Sequence, residues 1–281
     1  MKLNQLVQTN NKANSVGKNA KMFFMNTLIS TFIFSVGVNM LMFLPAYFFK
    51  TDKLTDISYA LTFIALAIFG LINHAITFPS LILALMIFAW AIRLGAYLLS
   101  RIRKIGKDKR FDDKREKFWS FAAFWLIQGV TVWVVLLPSN LFFGNDVRSL
   151  PAIAYVGAII WLIGLTIEAF SDKQKYDFIN DPRNKGKWVN TGLWKYSRHP
   201  NYFGEILLWI GVYIFTIFGL STTQAAIGIL GPLYIALLIG FVSGIPLLEK
   251  SAERKWGKDK GYQEYKKSTS VLIPFLNTEK K

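Results

Sequence analysis

Seven stretches of apolar residues, each near or beyond the length needed to cross a lipid bilayer, constrain this chain more than any other feature. They cover residues 22–49, 57–78, 80–99, 118–137, 152–170, 202–220 and 225–248. About 20 residues of helix span a hydrocarbon core. With 53% hydrophobic residues gathered into continuous runs and not amphipathic stripes, the chain reads as an all-α polytopic membrane protein of seven transmembrane helices. Asn26, Asn39 and Pro45 dilute the first run, and Gly231-Pro232 and Gly244-Ile245-Pro246 interrupt the last. Such breaks are tolerated where neighbouring helices satisfy the backbone.

The chain carries 33 Lys and Arg against 17 Asp and Glu. The positive charge is concentrated between Arg101 and Lys117, between Lys173 and Arg198, and from Lys250 onwards. An odd number of spans puts these three segments on one side, and the positive-inside rule makes that side cytoplasmic, with the N-terminus outside despite its four lysines. Orientation and attraction to anionic headgroups account for the net charge without nucleic acid. The chain has no cysteine, which excludes disulfides and thiolate metal sites. The first 21 residues are polar and lack the pattern of a cleaved signal peptide. A bacterial inner membrane is the expected location. Repeats and low-complexity segments are absent, and residues 1–281 read as a single integral membrane domain. After Glu249 the sequence predicts a helix broken near Gly257, a short helix around Tyr262–Lys267, and an apolar "VLIPF" that packs back.

Three ionisable residues sit inside the apolar runs: Arg93, Glu168 and Glu205. A charge at the centre of a span costs about 2.5–3.5 kcal/mol on insertion scales, so each marks a functional site by default. Helical spacing adds Asp172 to the face of Glu168, Asn201 to that of Glu205, and Trp90 and Tyr97 to that of Arg93. Two readings stand. Three polar stripes line one cavity open to the cytosol, or a buried charge network fixes helix packing.

The stretch "TGLWKYSRHPNYFGEILLWIG" holds one of the two histidines. Pro200 suits the first turn of a helix and keeps His199 extended. The helix start, with Lys195 and Arg198 beside it, suits an anion such as a phosphate. The plainer reading is an interfacial belt of Trp194, Tyr196 and Tyr202, with Arg198 touching lipid phosphate.

"GLWKYSRHPNYFGEILLWIG" resembles the signature of the steroid 5α-reductase superfamily, in particular its bacterial branch. "RLGAYLLSRIRKIGKDKRFDDKR", "EAFSDKQKYDF", "NKGKWVNTGLW", "SGIPLLEKSAERKWG" and "GYQEYKKSTSVLIPF" resemble further blocks in the same order, so the resemblance runs over residues 90–275. The shorter "RHPxYxG" is shared with isoprenylcysteine methyltransferases and sterol reductases. The resemblance implies a seven-helix membrane reductase that holds NADPH in a cavity open to the cytosol and reduces a carbon–carbon double bond of a lipophilic substrate from the bilayer. It implies a cofactor set of Arg93, Glu168, Asp172, Lys187, Tyr196, Arg198, Asn201 and Glu205, with Glu249, Arg254 and Tyr265 at the adenine–ribose end, and no metal. Tyr97, Tyr202 and His199 are the candidate proton donors, since charge developing in a dry site needs a placed donor. In animal steroid reductases a second-span glutamate and a third-span tyrosine polarise the substrate ketone. Here the tyrosine position is Trp90, and the second span offers only Asn73 and His74. Two alternatives remain: a membrane methyltransferase using S-adenosylmethionine, and a non-catalytic lipid-binding protein. Oligomeric state is left open.

Overall fold

The computed structural model describes residues 2–105, 112 and 114–276, with side chains from Met22 to Lys104, at Asp112 and from Lys114 onwards. The side chains of the N-terminal lysines, and Lys107, Lys109, Arg110, Lys280 and Lys281 of the basic segments, lie outside that set. Eleven α-helices follow in order among the described residues: α1 Lys2–Phe48, α2 Lys53–Asn73, α3 Phe78–Ile105, α4 Phe118–Val135, α5 Leu137–Phe143, α6 Ala152–Asn180, α7 Pro200–Thr216, α8 Thr222–Gly228, α9 Leu230–Leu237, α10 Ile245–Trp256 and α11 Lys260–Ser268. Seven helical segments are long and apolar enough to cross a membrane, the seventh assembled from α8, α9, a π turn at Leu238–Val242 and α10. The expected interruptions fall there, with Pro246 in the first turn of α10. The molecule is a polytopic helical membrane protein. Leu41, Ile72, Leu85 and Phe241 are among the large apolar side chains left exposed, as suits helices whose outer faces meet lipid.

The chain forms two compact units. The first takes residues up to Ala91 and Leu98–Arg148. Its spans are pinned by a buried polar network, because an amide in hydrocarbon must find partners within the protein. Gln128 Nε2 donates to Asn39 Oδ1 at 3.0 Å and Ser58 Oγ at 2.9 Å, and Asn39 Nδ2 donates to Thr62 Oγ1 at 3.1 Å. Ser35 Oγ donates to the carbonyl of Gly129 at 2.8 Å. Such bonds average about 0.6 kcal/mol each in membranes, and here they set the register of α1, α2 and α4 against one another.

The second unit takes Ile92–Tyr97 and Ser149–Lys281. Its frame is the α6–α7 pair, which crosses at backbone contact. Gly157 and Gly164 on α6, and Gly204 and Gly211 on α7, are each seven residues apart. A Cβ at Gly164 would stand 2.5 Å from Leu208 N, and one at Gly204 would stand 2.6 Å from Glu168 N. Only glycine permits that approach. It brings the first turns of α7 directly against the Glu168–Asp172 turn of α6.

The link from α6 to α7 and the tail after α10 complete the unit. Gly192 has φ +60° and turns the link beneath Gln174, whose Oε1 accepts from Leu193 N at 2.9 Å. Trp194 Nε1 donates to the carbonyl of Ser171 at 3.0 Å. The tail is two helices broken at Gly257, as the sequence leads one to expect. Its end packs back: Ser197 and Ser270 form a parallel bridge, and the Phe275 ring lies 4.6 Å from that of Tyr196.

Candidate functional site

Two neighbouring polar clusters form in the second unit, both at the start of α7. The first is built around Asp172. Arg93 Nη1 donates to Asp172 Oδ2 at 2.7 Å, and Arg93 Nη2 pairs with Glu168 Oε1. Asn201 Nδ2 donates to Asp172 Oδ1 at 3.2 Å. Glu168 and Asp172 are 2% and 4% exposed, so their charges cannot be left to water. Glu205, one turn after Asn201, interacts electrostatically with both Asp172 and Arg93, and Lys175 faces Asp172 from the same helix.

The balance of groups in this cluster is uneven. Among the described residues three carboxyl groups meet one guanidinium, with Lys175 as a further cation. Arg93 serves Glu168 and Asp172, and among the described residues no donor reaches Glu205. Among the described residues the Oδ1 of Asn201 is buried without a hydrogen-bond partner. A network serving packing alone closes its own bonds, because unmet buried acceptors cost about 1–3 kcal/mol each. Among the described residues this one leaves the Oδ1 of Asn201 and the Nε of Arg93 without a partner.

The second cluster joins His199 to the tail. His199 Nε2 lies 2.8 Å from Glu249 Oε1, and Arg198 Nη2 lies 3.3 Å from Glu249 Oε2. A carboxylate only accepts, so the imidazole carries its proton on Nε2 and presents a lone pair at Nδ1. That Nδ1 is buried and has no partner among the described residues. Burial holds the His199 pKa below its ordinary value, although Glu249 pulls it upwards. The Tyr202 ring stacks on His199 at 5.7 Å and 14°.

The structure thus brings together Arg93, Glu168, Asp172, Asn201 and Glu205, and beside them Arg198, His199, Tyr202 and Glu249. Tyr97 lies one turn beyond Arg93, half-buried on α3. Four residues of the expected set make no side-chain hydrogen bond within these two clusters among the described residues. Lys187 is exposed on the link. Arg254 donates to the carbonyl of Lys250 in its own helix at 3.4 Å. Tyr196 packs on Phe275, and the Tyr265 hydroxyl donates to the carbonyl of Trp194 at 2.7 Å, its pKa raised by burial. Trp90, on the stripe of Arg93, belongs to the first unit, where its ring meets Phe63 at 4.7 Å.

Sequence reasoning missed the residues that hold the site in place. Gln174 and Trp194 tie the link to α6, and the glycine pairs set the α6–α7 distance. The glycines had a signal, two seven-residue spacings in successive spans. The Gln174 contact had none, because it depends on the turn at Gly192.

Comparison with known proteins bears on this geometry. A family model described as "Protein of unknown function (DUF1295)" matches residues 42–269. Curated relatives include 3-oxo-5-alpha-steroid 4-dehydrogenase 1 of Macaca fascicularis, 30% identical over 122 residues, and that of Homo sapiens, 29% identical over 122 residues. The protein of the same name from Bos taurus is 26% identical over 120 residues. Each match covers 43% of this chain and 40 or 41% of the relative, so the chain spans about two-fifths of the length of these relatives. No solved structure matches. The chain belongs to the family described as DUF1295, which is part of the steroid 5-alpha-reductase family.

Proposed function

We propose that this protein is a membrane reductase that uses NADPH to saturate a carbon–carbon double bond in a lipophilic substrate, an enone of isoprenoid or steroid type, reaching it from the bilayer. The observation that carries this reading is the pair of open acceptors beside Asp172, the Oδ1 of Asn201 and the carboxylate of Glu205. Family membership supports it, as do relatives named for a steroid dehydrogenase activity.

The residues fit a nicotinamide dinucleotide by their hydrogen-bond chemistry. A carboxamide and a ribose bring N–H and O–H donors, which Asn201 and Glu205 would accept. Glu168 and Asp172 would add acceptor capacity, held in place by Arg93. The exposed Lys187 and the guanidinium of Arg198 supply positive charge for phosphates. When bound, NADPH supplies the hydride.

The chain's own part is positioning and proton supply. The Glu249 carboxylate fixes the imidazole of His199 with its lone pair at Nδ1, so that nitrogen has no N–H to give. Proton donation then falls to a hydroxyl. Tyr202, stacked on His199, and Tyr97, one turn from Arg93, are the two within the assembly, and each needs its acidity raised by the site. By the positive-inside rule the site opens to the cytosol, on the side of the basic segments.

The test is a tryptophan-fluorescence titration of purified protein, read from Trp194 and its neighbours. NADPH should quench the emission saturably and S-adenosylmethionine should not. Quenching by S-adenosylmethionine alone turns the reading to methyl transfer, and silence with both removes the enzyme reading.

A further inference from the structure

The end of the tail carries a surface that the site does not use. Tyr196, Val271, Ile273, Phe275 and Leu276 form an apolar group with exposures of 41%, 41%, 48%, 79% and 58%. The last four lie outside the seven bilayer-crossing segments. Segment 271–276 is nonetheless tied to the residues just ahead of α7. Arg198 N donates to the carbonyl of Ser270 at 2.9 Å, and Ser197 Oγ donates to that of Leu272 at 2.7 Å. Ser270 Oγ donates to the carbonyl of Tyr196 at 2.7 Å, and Phe275 N to the same carbonyl at 3.3 Å. Phe275 adopts φ 65°, a left-handed backbone that a bulky residue takes only where its surroundings impose it. Phe275 stays largely exposed while its ring packs against that of Tyr196.

Depth follows from these bonds. Pro200 opens a helix long and apolar enough to cross a membrane, and the polar residues 195–199 just ahead of it suit the headgroup level. A segment bonded to them along its length lies at the same level. Aromatic and aliphatic side chains are favoured at that boundary. Lys195 Nζ, 5.9 Å from the Tyr196 ring centre, adds positive charge where lipid phosphates sit.

We infer that segment 271–276 is an interfacial anchor whose partner is the lipid leaflet itself: its apolar side chains enter the headgroup–acyl boundary beside the start of α7. The bilayer thereby holds the Tyr196–Arg198 segment, and with it His199, from the tail side.

The inference is tested on full-length protein in vesicles of phosphatidylcholine and phosphatidylglycerol. Because the chain has no cysteine, Phe275→Cys and Ile273→Cys each take one spin label, with Lys258→Cys as a reference beyond α10. Collision rates are read with oxygen, which partitions into lipid, and with a water-soluble nickel chelate. The oxygen-to-nickel ratio at 273 and 275 should exceed that at 258 at least fivefold. A ratio equal to that at 258 places the segment in water and overturns the anchor. Exclusion of both reagents places it under protein, a second copy included, and overturns it equally. Should Phe275→Cys fail to accumulate, Leu276→Cys keeps the native ring and reports the same depth.

Discussion

Arg93 and Asp172, 79 positions apart, meet at 2.7 Å between Nη1 and Oδ2, and the same guanidinium also pairs with Glu168. One cation on α3 therefore serves two buried carboxyl groups on α6. Removing it strands both acids in a low-dielectric site, and breaking a buried pair costs about 3–5 kcal/mol. Arg93→Met should lose stability on that scale, read by thermal or denaturant unfolding in detergent. Arg93→Lys should recover part of it, since an ammonium replaces the charge and not the two-armed geometry. An Arg93→Met protein as stable as the parent would contradict the role given to this pair.

Glu205 differs from its neighbours in having no donor among the described residues, so its charge can be removed without stranding a partner. Glu205→Gln should accumulate normally and unfold within about 0.5 kcal/mol of the parent. If the carboxylate receives a donor from NADPH, affinity should fall about 10- to 100-fold, the equivalent of about 1.4–2.7 kcal/mol. Failure of this variant to accumulate would instead assign Glu205 to packing.

The α6–α7 crossing depends on absent side chains. A Cβ at Gly204 would stand 2.6 Å from Glu168 N and 2.7 Å from the carbonyl of Gly164. Backbone cannot rotate aside as a side chain can, so Gly204→Ala should push the helices apart and cost about 1–3 kcal/mol or more. Because Asn201 and Glu205 ride on the displaced turn, NADPH-induced quenching should weaken too. Gly37→Ala is the control: nothing among the described residues lies within 4 Å of its Cβ position, and alanine in place of a helical glycine is neutral or stabilising there.

The spans were legible because an apolar run of bilayer length needs no tertiary information to declare itself. Arg93, Glu168 and Glu205 were legible for the converse reason, that a charge within such a run needs an explanation. What stayed hidden was partnership. Helical spacing places Trp90 on the stripe of Arg93, yet one residue packs in the first unit and the other serves the second. Glu249 lies 50 positions from His199, and family likeness pointed it at the cofactor. The fold also sets it against the imidazole, a pairing that sequence spacing does not encode. Tyr265 is similarly occupied by a main-chain carbonyl, a contact that no spacing rule in the sequence encodes.

His199 supplies the pH dependence. It is 5% exposed, and the groups acting on it are Glu249, which favours the imidazolium, and Lys175 and Arg198, which oppose it. Burial outweighs Glu249, so the folded pKa lies below the ordinary 6.5. Between those two values the unfolded chain binds the proton and the native state does not. The contribution of the neutral ring is thus complete above pH 6.5, and it declines as the pH falls towards the folded pKa. The slope reaches at most about 1.4 kcal/mol per pH unit, and it ends once both states are protonated. Native stability measured by unfolding in detergent should therefore fall between pH 6.5 and 5 by more in the parent than in His199→Gln, which lacks the titrating group. The two profiles should run parallel above pH 7. A parent that gains stability relative to His199→Gln on acidification would show that the Glu249 pair outweighs burial and that His199 is an imidazolium in the native protein.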